Sequence, residues 1–321
     1  MTVSQIRPSN EPNETNKQLL KAAKLGEADK VFQLLQRPNA SPLADDNAGK
    51  TVSIWLSYFN NGRAVINLAQ KWPEVLHEQD SFGRTSALWL AVHGNGDAVL
   101  ALAEIDIRVL THADNEGKTP LMMLARYDNK INKERKTSTG LEVLFGLSKA
   151  PCHITEELAS LRPELLTQTD VYGRTVAAYL AQHGDEDVIV RLALEAPFVL
   201  KQQCQIGANI ALWLAIRGCN TAVVELAEYA PSDVLDVVDD EGFTAGSWLA
   251  WYGAGDKLLA LANIYPAVKE QPGIVKQAVK ALDAPLAKQL IRAGFALPDD
   301  FDALLDEKGI KPADVGLTEV A

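Results

Sequence analysis

One short pattern occurs six times in phase along this chain, and that periodicity constrains the fold more than any bulk property. Asp-x-x-Gly-x-Thr stands at Asp46/Gly49/Thr51, Asp80/Gly83/Thr85, Asp114/Gly117/Thr119, Asp170/Gly173/Thr175 and Asp239/Gly242/Thr244. A weaker copy has Cys204, Gly207 and Asn209. Successive copies start 34, 34, 56, 34 and 35 residues apart, so one unit carries an insert of about 22 residues, 56 less one period of 34. Four residues after each Thr (or Asn209) comes Trp55, Trp89, Met123, Tyr179, Trp213 or Trp248, and a leucine follows directly. A proline closes most units, at Pro73, Pro163, Pro197, Pro231 and Pro266.

The repeated residues define local chemistry. Asp bonds its own turn backbone and Gly supplies a positive φ. Thr then stands where a helix N-cap belongs. A short apolar helix follows, ended by Gly94, Gly184, Gly218 or Gly253. A second helix carries Val99, Leu102 and Ala103 on one face, and Val223, Leu226 and Ala227 repeat that spacing. The proline is expected to stop this helix and open an extended link. No segment alternates with period 2, so the expected class is all-α. The Trp and Tyr of each unit are expected in the core, held by apolar packing.

These residues resemble the ankyrin repeat, from the turn Asp-x-x-Gly-x-Thr to the closing glycine, over roughly residues 17–295. The resemblance implies a repeat solenoid of helix-turn-helix units with capping repeats at both ends, the first at Leu19 to Leu35 and the last at Ile274 to Phe295. Only Pro120 fills the family's proline position. Its histidine position holds Ile54, Leu88, Met122, Ala178, Leu212 and Ser247. A tetratricopeptide array shares the period of 34 but lacks the Asp-x-x-Gly turn. Residues 1–16 read as a disordered lead and 296–321 as cap and tail, unstructured from Asp306 on. The insert is expected at about 129–153, leaving Ile154 to Leu161 as the second helix of the third unit. Its KINKERK run reads as a solvated loop.

The chain has 31 Lys and Arg against 42 Asp and Glu, a net charge of −11, which argues against a general nucleic-acid binder. Three cysteines fit a reducing compartment, hence the cytoplasm. No apolar run approaches the ~18 residues of a membrane span. The resemblance also allows an effector delivered into a host cell, with the tail as secretion signal. The sequence holds no phosphate loop, nucleophile elbow or paired metal-ligand motif. Cys152-His153 stands alone, and the five histidines are scattered. No catalytic residue, metal or cofactor is therefore expected. An enzyme or modulator acting through the insert, or through residues gathered across repeats, is the alternative.

The family's partner surface would fall on the second, third, fifth, thirteenth and fourteenth residue of each unit. Eight of those 30 positions are aromatic, where composition predicts about two, and the set nets +3. The candidate partner-binding residues are Tyr58, Phe82, Arg84, His93, Lys118, Arg126, Tyr127, Tyr172, Arg174, His183, Arg217, Trp251 and Tyr252. Aromatic and arginine side chains dominate binding hot spots. The expected partner is a protein or extended peptide with acidic and apolar residues, and the resemblance implies no small-molecule cofactor. Tyr172 and Arg174 are both expected to project from the turn tip.

Overall fold

The computed structural model describes residues 14–126, 163–183 and 186–317. All described secondary structure is helical apart from one isolated bridge between Asp45 and Thr51. The described residues divide into two compact units, residues 14–126 and residues 163–183 with 186–317.

In the first unit, α1 (Glu14–Lys24) and α2 (Ala28–Leu34) form a helix pair. Two further pairs follow, α3 (Val52–Tyr58) with α4 (Gly62–Lys71) and α5 (Ser86–Val92) with α6 (Gly96–Ile105), then α7 at 120–126. First helices pack on first helices, α1 on α3 and α3 on α5, while α4 packs on α6.

The second unit opens on α8 (Pro163–Thr167) and holds the pairs α9 (Val176–His183) with α10 (Glu186–Glu195) and α11 (Ile210–Ile216) with α12 (Asn220–Tyr229). After the short α13 (Pro231–Leu235) come α14 (Ala245–Trp251) with α15 (Gly255–Ile264), then α16 (Pro272–Lys280) with α17 (Ala284–Arg292), and finally α18 (Phe301–Lys308). The same rule holds: α9, α11, α14 and α16 pack in succession, and so do α10, α12, α15 and α17.

Local chemistry explains the repetition. Asp80 Oδ1 accepts the N–H groups of Phe82 and Arg84, which closes the turn, and Gly83 sits at φ 74°. Thr85 Oγ1 then accepts the Leu88 N–H and caps α5. Asp170, Gly173 and Thr175 repeat this in the second unit. Neighbouring turns are joined by one main-chain bond each: Ser81 N–H to Ala48 O, Asn115 to Phe82, Gln205 to Tyr172 and Asp240 to Ile206.

Three sequence expectations change. The prolines do not open extended links. Pro73, Pro197 and Pro266 each start a 3-10 turn and Pro231 starts α13, because proline's fixed φ suits a first helical position. The first helix begins at Glu14, inside the expected lead. The tail is folded through residue 317: Phe301, Leu304 and Leu305 are buried on α18, which packs on α16, and Val315 is buried in the turn Pro312–Val315 against α17. A secretion signal at Asp306 onward would have to be read from a packed segment. The insert at 129–153, Ile154 to Leu161, and Tyr127 lie outside the described residues.

Candidate functional site

The candidate residues of the first unit form one contiguous group. Tyr58, at the end of α3, packs edge-on against Trp89 of α5 with centroids 5.0 Å apart, and reaches His93 at 6.4 Å. Phe82 stands on the next turn, 57% exposed. Lys50 lies among three rings, 4.5 Å from Trp55, 4.6 Å from Tyr58 and 5.1 Å from Trp89. Arg84 does not project. Its guanidinium covers Trp89 at 4.9 Å and Phe82 at 5.7 Å, and its Nε is 3.5 Å from the Asp114 carboxylate. Lys118 is paired with Glu116, and Arg126 is exposed.

In the second unit Tyr172 is 54% exposed at its turn tip. Arg174, expected beside it, folds back instead. It bonds Asp170 Oδ2 through Nε at 2.9 Å and Nη2 at 2.7 Å, and it lies between the Tyr172 and Tyr179 rings at 4.8 and 4.7 Å. The second carboxylate oxygen of the turn Asp is within reach of the fifth residue, and a half-buried guanidinium gains more there than in water. Burial works against the Asp170 carboxylate, but the bonds from Arg174, Tyr179 and the turn backbone outweigh it and hold its pKa below the usual range. Truncating Arg174 therefore costs folding as well as any binding. His183 is half-buried and packs against Tyr179 at 6.4 Å.

Two candidates bridge successive first helices. Arg217 Nη1 donates to Ala181 O at 2.9 Å, and Tyr252 Oη donates to Ile216 O at 2.9 Å. These bonds answer carbonyls that a helix end leaves open. Trp251 is 44% exposed on α14.

The large aromatic of each unit behaves differently from the purely apolar expectation. Trp55 and Trp89 donate their indole N–H to the Oδ2 of Asp46 and Asp80, at 3.1 and 2.9 Å. Tyr179 donates its hydroxyl to Asp170 Oδ2 at 2.9 Å. One aspartate thus ties its turn through Oδ1 and its helix through Oδ2. The sequence signal was present: the ring follows its Asp by nine residues each time, and a buried indole N–H needs an acceptor.

A second cluster escaped sequence reasoning. His77 and His112, 35 residues apart, are joined at 2.9 Å from Nδ1 to Nε2. His77 Nε2 also lies 3.0 Å from Asp106 Oδ2, which Arg108 grips at 2.6 Å. One proton lies between the two rings; a second removes the bond. Burial first, and the neighbouring His77 next, pull the His112 pKa below its usual value. Stability that is present above the unfolded pKa of about 6.5 is therefore lost as pH falls through the lower folded value. The Arg108 hydrogen bonds hold Asp106 well below the carboxylate range, so its contribution persists to more acidic pH. The urea midpoint should accordingly fall between about pH 7.5 and 5.5, and His112→Asn should flatten that fall. Identical pH dependence in the two proteins would remove His112 from the account.

No group of three or more histidine, cysteine or acidic side chains among the described residues could hold a metal ion. No described helix is long and apolar enough to cross a membrane. Activity placed in the insert falls outside the described residues. No protein-family model and no curated protein matches the chain.

Proposed function

We propose that this chain is an ankyrin-like repeat solenoid that serves as a non-catalytic scaffold, binding an extended segment of a partner protein on the face made by its turns and first helices. The observation that carries this reading is the set of half-exposed rings at equivalent places: Tyr58 and Phe82 in the first unit, Tyr172, Trp251 and Tyr252 in the second. Each is a large apolar surface left in water on a framework that ties its neighbours down. Exposed rings in number are the composition of protein interfaces. Arg84, Arg174 and Arg217 are engaged by internal carboxylates, rings or a carbonyl. The rings therefore supply the anchoring area, and the basic residues contribute a local positive field that favours acidic groups of the partner.

The choice of test residues follows. Phe82 and Tyr172 project without side-chain hydrogen bonds, so their loss should change stability by less than about 1 kcal/mol. A pull-down with wild type against Phe82→Ala/Tyr172→Ala, read by mass spectrometry, identifies ligands that need these rings. Titration of such a ligand should show each single truncation costing on the order of 2 kcal/mol, with binding weaker at higher salt. Variants that bind as tightly as wild type would sink the proposal for this face.

A further inference from the structure

The turn of the sixth repeat, at Asp239, differs from the other Asp turns at its fifth residue, and a cavity results. The fifth place of the turn holds Lys50, Arg84, Lys118 and Arg174 in four units, but Phe243 in this one. Where Trp89 is tied to Asp80, Trp248 stands edge-on to Phe243 at 5.5 Å, and its Nε1 is buried without a hydrogen-bond partner. Asp239 receives only the N–H groups of Glu241 and Phe243 on its Oδ1. The resulting cavity of 180 Å³ is walled by Phe243, Trp248, Trp251, Ser247 and Gln277.

Gln277 is the informative wall. It lies on α16, is only 5% exposed as a residue, and its side chain lines the cavity without a hydrogen bond to any described residue. The carboxamide is not sealed off: its polar atoms meet water through the cavity, so a ligand that displaces that water must replace its hydrogen bonds. Ser247, by contrast, is engaged with Thr244 at 3.2 Å.

We propose that this cavity is an anchor pocket for one large apolar side chain (leucine, methionine or phenylalanine) of an extended peptide, whose main-chain amide pairs with the Gln277 carboxamide. The proposal rests on the reading of this face as a peptide-binding surface and names one subsite of it. Three features select the occupant. The volume lies below the ~300–1,000 Å³ usual for cofactors and drug-sized ligands, and suits a single side chain. The aromatic walls carry no charge, so the occupant is apolar. A carboxamide offers one donor side and one acceptor side, the complement of a peptide group. The turn that supplies Phe243 also bears exposed Asp240 and Glu241, so a basic residue next to the anchor completes the match. Trp248, free of its aspartate, is the wall that can yield as the side chain enters.

The test uses the full chain with its six tryptophans labelled at the indole nitrogen. Trp248→Phe and Trp251→Phe assign the two resonances. The probes are N-acetyl-leucine methylamide and N-acetylglycine methylamide at equal concentrations. The leucine probe should move the Trp248 and Trp251 signals saturably, and the glycine probe should leave them in place. Gln277→Leu should keep the fold, with an unchanged or higher melting temperature, yet weaken leucine-probe binding at least five-fold. A leucine probe that moves neither signal, or binds Gln277→Leu as tightly as wild type, overturns the assignment. So does movement of both signals on concentrating the protein alone, which would put a second copy in the pocket. Neither probe requires an identified partner. A failure here leaves the Phe82 and Tyr172 titrations standing, and a failure of those titrations leaves the probe result standing.

Discussion

Asp80→Ala is expected to lower the free energy of unfolding by about 4 kcal/mol, because each buried donor left without its acceptor costs ~1–3 kcal/mol. Asp80 is almost wholly buried and serves three donors at once: the Phe82 and Arg84 N–H groups on Oδ1 and the Trp89 indole on Oδ2. Alanine removes both oxygens and leaves the donors where water reaches them poorly. The Arg84 guanidinium loses nothing directly, since its carboxylate neighbour is Asp114. Asp239 is the internal control. It closes the same turn through Oδ1 but holds no indole, so Asp239→Ala should cost only about 2 kcal/mol. Urea denaturation of the two variants decides the matter. Equal losses would mean that the Asp–Trp bond contributes nothing and that the turn alone accounts for Asp80.

Local features were legible in the sequence because their partners lie close along the chain. Asp80 Oδ1 finds its N–H donors two and four residues on, and Thr85 Oγ1 finds its donor three residues on. The turn glycines stand at positive φ for the same local reason. A proline at the end of an apolar helix reads as a stop, yet its fixed φ equally starts a helical turn, and the structure takes the second course. Acidic composition suggests an unstructured segment from Asp306 on, but α18 runs to Lys308 and Val315 is buried in a further turn, because one apolar residue in that stretch finds a packing site.

The candidate surface was legible by position and less so by direction. Phe82 and Tyr172 are exposed, but Arg84 and Arg174 turn inward, because a carboxylate lies within reach of each and a long flexible side chain takes it. Arg217 and Tyr252 spend their polar ends on carbonyls 36 residues earlier. Contacts one period away, including His77 with His112, come from stacking of neighbouring repeats, and no local rule announces them. The period itself was the available signal: residues about 34 apart become neighbours.

Trp213→Ala should cost about 3–5 kcal/mol, while Trp213→Phe should be within about 1 kcal/mol of wild type. The two outcomes separate packing from hydrogen bonding at one site. Trp213 packs against the cluster of Cys204, Ala208 and Leu212, beside Val237 and Trp248. Removing the ring leaves a cavity among residues that cannot collapse into it. The indole N–H, however, is buried with no partner, because the residue at the turn-Asp position is Cys204. A thiol is a weak acceptor. Phenylalanine keeps most of the packing and discards the orphaned donor, so gain and loss nearly offset. At Trp89, where the bond to Asp80 exists, the same change to phenylalanine should cost about 1–2 kcal/mol more. Cys204→Asp supplies the missing acceptor in the geometry already realised at Asp80, and should stabilise the fold by about 1 kcal/mol. The pair Cys204→Asp/Trp213→Phe should then lose that gain, since the new carboxylate would have no indole to accept from. If Trp213→Phe destabilises as much as Trp213→Ala, the orphaned N–H is finding a partner in solution, and the argument from the turn-Asp position fails at this unit.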